Sequence, residues 1–401
     1  MSYERPFAGL RIVDLSQGVA GPYCAMLAAQ YGAEVIKVEP PEGDWIRGIG
    51  RRIGDHSPIA LAVNRGKRSI VVDLKTPDGP GVVQRLAAGA DVFIESFRPG
   101  VAKRLGLGYE VLKAGNPSLL YLSVSGFGQS GPYAGRQLTD TVAQAFTGLM
   151  SINVGNDGIP HRHGLILVDL VTALHAYQTL ATALHARREG GIGRHIDVNL
   201  MQSAAAFQAV KIAIHALEGA RNDAPNAPAG TYQVKDGQIV VTLVKEEQFR
   251  RLAEVLGLPQ LAGDPRYASF ASRREHIDSL RPVLEEAFMT ATAAEWQARF
   301  EAASVLAQPI YDYDDWLADP HIQAVGAAPL LEQAGVGRIP VPQIPGVEPV
   351  ADGDPRVQTP GLGSDGRQVL EALGLAAEEI ARLARSGAVR LPGESRGADA
   401  A

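Results

Sequence analysis

Of 401 residues only one, Cys24, is a cysteine. A single thiol excludes an intrachain disulfide and a cysteine-cluster metal centre, and it fits a reducing compartment. No apolar run approaches the roughly 18 to 20 residues that a membrane-spanning helix needs. The opening MSYERPFAGL lacks the basic-then-apolar order of a secretory leader. Positive charge is not in surplus either: 38 Lys and Arg against 44 Asp and Glu leave a net charge of −6, a field that repels nucleic acid and anionic membranes. These absences imply a soluble cytoplasmic protein with neither nucleic acid nor membrane as a partner. A polyanionic ligand would need a local basic patch.

What is present is an ordinary globular balance, 46% hydrophobic and 20% charged, in a chain long enough for two lobes. In the first third, short apolar runs (RIVDLS, VIKVEP, SIVVDL, DVFIES, LLYLSVS) alternate with helical stretches such as GPYCAMLAAQYGAE. Near-continuous apolar strands alternating with helices predict an α/β, Rossmann-like lobe whose parallel sheet is covered on both faces. From about Asp140 the pattern turns helical, and LVTALHAYQTLATALHARR places apolar residues three and four apart. A Pro-, Asn- and Gly-rich run, EGARNDAPNAPAG, marks a linker. The reading is therefore a large domain over 1–217, a smaller α+β domain over 218–334, and a connection with a terminal helix over 335–401. TYQVKDGQIVVTLV reads as a hairpin turning at Asp236-Gly237.

Three groups of residues invite a chemical reading. The strand-to-helix turn SQGVAG, with Glu39 ending the next strand, outlines a nucleotide site in which helix amides face phosphate and an acid meets a ribose. The turn lacks the G-x-G-x-x-G fingerprint of a nicotinamide-dependent dehydrogenase, which disfavours a dinucleotide and leaves a plain tight turn at Gly18 and Gly21 as the ordinary account. Arg65, Lys67 and Arg68 in NRGKRS, then Lys75, Arg98 and Arg104, sit near strand ends where a polyphosphate would be met, although solvated surface charge is the ordinary role of such residues. Asp169 lies between Val168 and Leu170, a costly place for a carboxylate unless it caps the following helix or reacts. His161 and His163 nearby have no convincing third ligand, so no metal is expected.

The ordered set SIVVDLKTPDG, ADVFIESFRPG, SGFGQSGPYAGR, DTVAQAFTGLM, PHRHG with Asp169, RREGGIGRHIDVNL and DPHI resembles the class III CoA-transferases of the CaiB/BaiF type and their racemase relatives. The resemblance runs through nearly the whole chain. It implies a large Rossmann-like domain completed by the C-terminal segment, a small domain between, and an interlocked ring-like homodimer. In P-x-R-x-G-x-x-x-x-D, here Pro160, Arg162, Gly164 and Asp169, it assigns Asp169 as nucleophile. CoA or acyl-CoA is then a substrate, with no tightly bound cofactor, and a carboxylic acid is the other partner. Contacts to CoA carry over onto Gly18, Val19, Val72, Leu74, Lys75, Ser96, Phe97, Arg98 and Arg104, and Gln137 stands near the acyl end.

Departures from the family pattern fall at Ala173, where relatives have Gly, at Arg194, where they have Gln, and in LGSDG over 362–366, where they have LGEHT. Two alternatives stay open: an acyl-CoA racemase or isomerase working by α-proton transfer, and a CoA-binding homologue without catalysis. Against the first, the racemases place a histidine where this chain has Thr139, whose hydroxyl cannot take a proton from carbon near neutral pH. No recognition pattern identifies the acids exchanged. Arg47, Arg51 and Arg52 offer charge for a second carboxylate, with a solvated basic loop as the duller account.

Overall fold

The computed structural model describes residues 5–155, 157–219 and 226–392. These residues divide into two compact units, one being Ile214–Val325 and the other the remainder. The divisions at 214 and 325 compare with 218 and 334 read from composition. Composition marks a linker, whereas packing divides within the helix Ala209–Glu218 that precedes it.

In the larger unit six parallel strands follow chain order: β1 (Arg11–Asp14), β2 (Glu34–Glu39), β3 (Arg68–Val72), β4 (Val92–Glu95), β5 (Leu120–Ser125) and β6 (Arg194–Asn199). Their alternate residues feed two cores. Val13, Ile36, Ile70, Phe93 and Tyr121 face one side, packed with Val82, Val83 and Leu86 of the helix Gly79–Ala88. Ile12, Val35, Val92, Leu120 and Leu122 face the other, with Ala25 and Ala28 of the helix Ala20–Gln30 and Ala173, Ala176 and Leu180 of the helix Leu167–Gly190. Burial on both faces is why the strands read as unbroken apolar runs. Ala173 is fully buried in this second core, where a small side chain lets the two helices approach.

The smaller unit holds an antiparallel sheet of β7 (Gly230–Val234), β8 (Gly237–Thr242) and β9 (Leu306–Pro309). Pairing of Val234 with Gly237 centres the hairpin turn on Lys235-Asp236, one residue before the turn read from Asp236-Gly237. The Asp236 carboxylate is drawn instead to the start of a helix, accepting the Ala293 amide at 2.8 Å. Tyr232, Phe288, Trp296 and Phe300 fill this unit's own core.

The chain then returns to the larger unit. A hairpin of β10 (Leu330–Gln333) and β11 (Gly337–Pro340) precedes β12 (Val389–Arg390), which pairs antiparallel with β3. The completed sheet runs β12-β3-β2-β1-β4-β5-β6. LGSDG docks on β3: Gly363 donates to Ser69 Oγ at 2.9 Å, and the Asp365 carboxylate accepts the Ser69 amide at 2.9 Å. Its role here is to anchor the returning segment. Strand order reverses between β1 and β4, and the crevice beyond their carboxyl ends is where open α/β sheets bind ligands.

Candidate active site

The first wall of that crevice is the turn after β1. Gly18 adopts φ +83°, and a Cβ there would lie 2.9 Å from the Trp45 ring, so glycine is required twice over. The Gly18 amide donates to Asp44 Oδ1 at 3.1 Å. A buried ion network holds this turn from below. Lys37 Nζ donates to the Ser16 carbonyl at 2.9 Å and pairs with Asp44 at 3.0 Å. Lys67 Nζ reaches Asp14 Oδ2 at 2.8 Å, the Pro22 carbonyl at 2.7 Å and Asn64 Oδ1 at 2.8 Å.

This network corrects the reading of NRGKRS as a phosphate patch. Lys67 is buried and fully engaged; Arg68 pairs with Glu34 at 2.9 Å, and Arg65 donates to the Pro342 carbonyl at 3.3 Å. Glu39 is not a ribose ligand either. It is 1% exposed, bound by Arg47 at 2.7 and 2.8 Å and by Ser69 at 2.7 Å. Arg47 is thereby committed, while Arg51 and Arg52 remain exposed.

The second wall follows β4. Ser96 Oγ accepts the Gln17 amide at 2.8 Å, clamping the two turns together across the switch point. The amino end of the helix Ala20–Gln30 enters between them without a side-chain cap or an acidic residue in its first turn, which leaves a locally positive end. Together these segments line a cavity of about 270 Å3 that includes Gly18, Val19, Ser96, Phe97, Thr139 and Asp169.

Asp169 stands in the first turn of the helix Leu167–Gly190, whose N-cap residue, Ile166, supplies no side-chain bond. The capping role expected of Asp169 belongs to Asp140. The buried Asp140 carboxylate accepts the Val168 amide at 2.7 Å and the Asp169 amide at 3.3 Å. Gln144 donates to Asp140 at 2.7 Å and accepts the His163 amide at 2.9 Å, tying the PHRHG loop to the same acid. Relieved of capping, the Asp169 carboxyl faces the cavity. Burial first, and then the neighbouring Asp140 charge, push its pKa up to about 7.

Of the other residues singled out, Val72 is buried at the carboxyl end of β3 and Leu74 packs on the adjoining core. Lys75, Arg98, Arg104 and Gln137 are exposed and do not line the cavity. Lys75 and Arg98 follow the carboxyl ends of β3 and β4, the edge on which the cavity opens. His161 bonds Asp157 at 3.1 Å; among the described residues no three His, Cys, Asp or Glu side chains gather as metal ligands, and no helix is long and apolar enough to cross a membrane. Sequence reasoning passed over Gln17, Trp45 and Ser125 as cavity residues; their one signal was position, Ser125 ending β5 and Gln17 and Trp45 lying in the segments that follow β1 and β2.

A cavity lined by a carboxylate of raised pKa, at the switch point of a largely parallel α/β sheet, has the form of an enzyme site, and comparison with known proteins gives its class. The model of CoA-transferase family III matches residues 7–366. Succinate–glutarate CoA-transferase of Agrobacterium fabrum is 37% identical over 92% of this chain and 96% of its own. Succinyl-CoA–D-citramalate CoA-transferase of Chloroflexus aurantiacus is 34% identical over 94% and 97%. A CaiB/BaiF family protein from Brucella suis superposes with a TM-score of 0.81 at 33% identity, covering 93% of this chain and 100% of that one. The chain belongs to CoA-transferase family III. It is a CoA-transferase, moving CoA between an acyl-CoA and an acid.

Proposed function

We propose that Asp169 carries the transfer as a covalent nucleophile. The supporting observation is its carboxyl group in the cavity between the Gly18 and Ser96–Phe97 turns. The carboxylate attacks the donor thioester carbonyl, giving an aspartyl–acyl mixed anhydride and CoA thiolate. The thiolate attacks the aspartyl carbonyl and expels the donor acid, leaving an aspartyl-CoA thioester. An incoming carboxylate attacks that thioester, again releasing thiolate, which takes the acyl group from the new anhydride and restores Asp169. Every step exchanges one acyl bond for another, and a partly enclosed cavity limits loss of the anhydride to water. Desolvation that lifts the Asp169 pKa to about 7 also strips its anion of hydration and favours attack.

Gly18, Val19, Ser96 and Phe97 border the thiol end of CoA, Val72 and Leu74 its adenine, and Lys75, Arg98 and Arg104 its phosphates; Gln137 lies toward the acyl group. The three cations suit this role because none has an acidic partner among the described residues. Succinate or succinyl-CoA is named for both relatives compared, which supports dicarboxylic acids as the acyl class. A homodimer, interlocked as the family resemblance implies, fits the helix Ala209–Glu218, which buries no residue and leaves Val210 and Leu217 73% and 86% exposed. A cytoplasmic setting supplies both substrates.

The test is to incubate the protein with succinyl-CoA and with monocarboxylic acyl-CoAs and to look by mass spectrometry for acyl or CoA adducts on the peptide bearing Asp169. Adducts favouring the dicarboxylic donor are expected. Deuterium exchange at the α-carbon with no adduct would establish the isomerase instead.

A further inference from the structure

One buried carboxyl group has no part in that chemistry. Glu95 ends β4 at 4% exposure, directly before Ser96 and Phe97. Its Oε2 accepts the Phe97 amide at 2.8 Å and its Oε1 accepts the Ser123 hydroxyl of β5 at 2.5 Å. Ser123 Oγ is in turn 2.9 Å from His195 Nε2 on β6. His195 stacks on Tyr109 at 5.4 Å and meets Tyr121 edge-on at 5.1 Å. A glutamate, a serine and a histidine thus span three adjacent strands, from the sheet edge to the wall of the cavity.

We infer that Glu95, Ser123 and His195 form a proton-sharing relay that sets the Ser96–Phe97 wall, making Glu95 a positioning residue for thioester binding. The relay's transferase consequence rests on the function proposed above. Its proton arithmetic does not.

Ser123 has one hydroxyl proton. With Glu95 ionised, that proton goes to Glu95, so His195 must donate Nε2–H to the serine oxygen. With Glu95 protonated, Glu95 donates to the serine oxygen, Ser123 turns its proton toward His195, and Nε2 must accept, leaving the proton on Nδ1. Protonating Glu95 therefore switches the histidine tautomer and takes negative charge from the acceptor of the Phe97 amide. Ser96, next in chain, holds Gln17 through its hydroxyl, which carries the change to both turns of the cavity.

Burial lifts Glu95 to about 7, with Asp197 adding to the rise, while desolvation pushes His195 below its ordinary value. As pH falls from alkaline toward neutral, the carboxyl takes up a proton before the imidazole does. The other ionisable groups around the relay are Tyr121 on β5, Asp197 on β6, and Tyr109 and Glu110 on the helix Tyr109–Gly115, whose Lys113 lies over the Tyr109 ring at 5.2 Å.

Nitrogen-15 spectra of the histidine-labelled full chain test this, with His195→Gln identifying the resonance. The His195 tautomer is expected to pass from Nε2–H to Nδ1–H as pH falls through about 7, before the ring becomes cationic. Glu95→Gln, whose amide donates to Ser123 and accepts from Phe97, should hold Nδ1–H at every pH from 6 to 8.5. Its KM for succinyl-CoA should rise severalfold and lose pH dependence, while the acid limb of kcat stays. Ser123→Ala supplies an independent check if the glutamine variant fails to fold: the tautomer should then stop following pH. A wild-type tautomer that is constant over this range, or a Glu95→Gln KM equal to wild type, overturns the relay.

Discussion

Asp140 Oδ1 lies 3.3 Å from the backbone nitrogen of Asp169 and 2.7 Å from that of Val168, so one carboxylate caps the helix that presents the other. The cap orients Asp169 and, as a nearby negative charge, also resists its ionisation. Both effects can be separated by substitution.

Asp140→Asn keeps an oxygen for the amides and removes the charge. The acid limb of kcat should move to lower pH than in wild type, as a pH–rate profile will show. Asp140→Ala loses the cap as well and should cost about 1–2 kcal/mol of stability in denaturant titration.

Asp169→Asn should abolish turnover, by at least about a thousandfold, while acyl-CoA still binds. The same variant should be more stable than wild type at pH 8. A folded-state pKa near 7 against an unfolded value near 3.8 means that native Asp169 stability is complete below pH 4 and is lost as pH rises through 7. Solvent contact reduces the full effect, so the gain from asparagine should be on the order of 2 kcal/mol at pH 8 and vanish near pH 4. Thermal melts of both proteins across that range measure it.

Wild-type turnover should fall about tenfold per pH unit below pH 7, as the nucleophile takes up its proton. Saturating substrate isolates this limb in kcat.

Lys67→Met distinguishes a structural cation from a phosphate ligand. Asp14 would lose its 2.8 Å partner inside the protein, costing about 3–5 kcal/mol. Chemical denaturation should register that loss, whereas a phosphate ligand would chiefly raise KM for the thioester.

Gly18→Ala should cost about 1–2 kcal/mol from the left-handed backbone and raise KM for acyl-CoA. Adding Trp45→Ala should relieve the collision at 2.9 Å and leave the backbone cost in place.

The strands and the switch-point turn were legible because they depend on local pattern. Apolar runs mark strands buried on both faces, and Gly18 marks a turn. What escaped was pairing at a distance. Lys67 finds Asp14 across 53 positions, and Asp140 finds the Val168 amide across 28; charge type alone cannot tell a buried counterion from a ligand. Glu39 shows the same limit, since its place at a strand end matches the outline of a ribose acid while Arg47 already occupies it. Asp169 was correctly singled out as an expensive carboxylate, yet its neighbour's role as the cap required the tertiary structure.

The antiparallel strand β12 has a consequence for synthesis. Val72 near the start of the chain is paired by Val389 near its end. During translation the outer edge of β3 therefore stays open, with apolar Ile70 and Val71 beside unpaired amides, until the segment carrying Val389 and Arg390 has left the ribosome. Nascent chains of this protein should depend on holding chaperones late, and a stalled ribosome would present a sticky sheet edge rather than a finished domain.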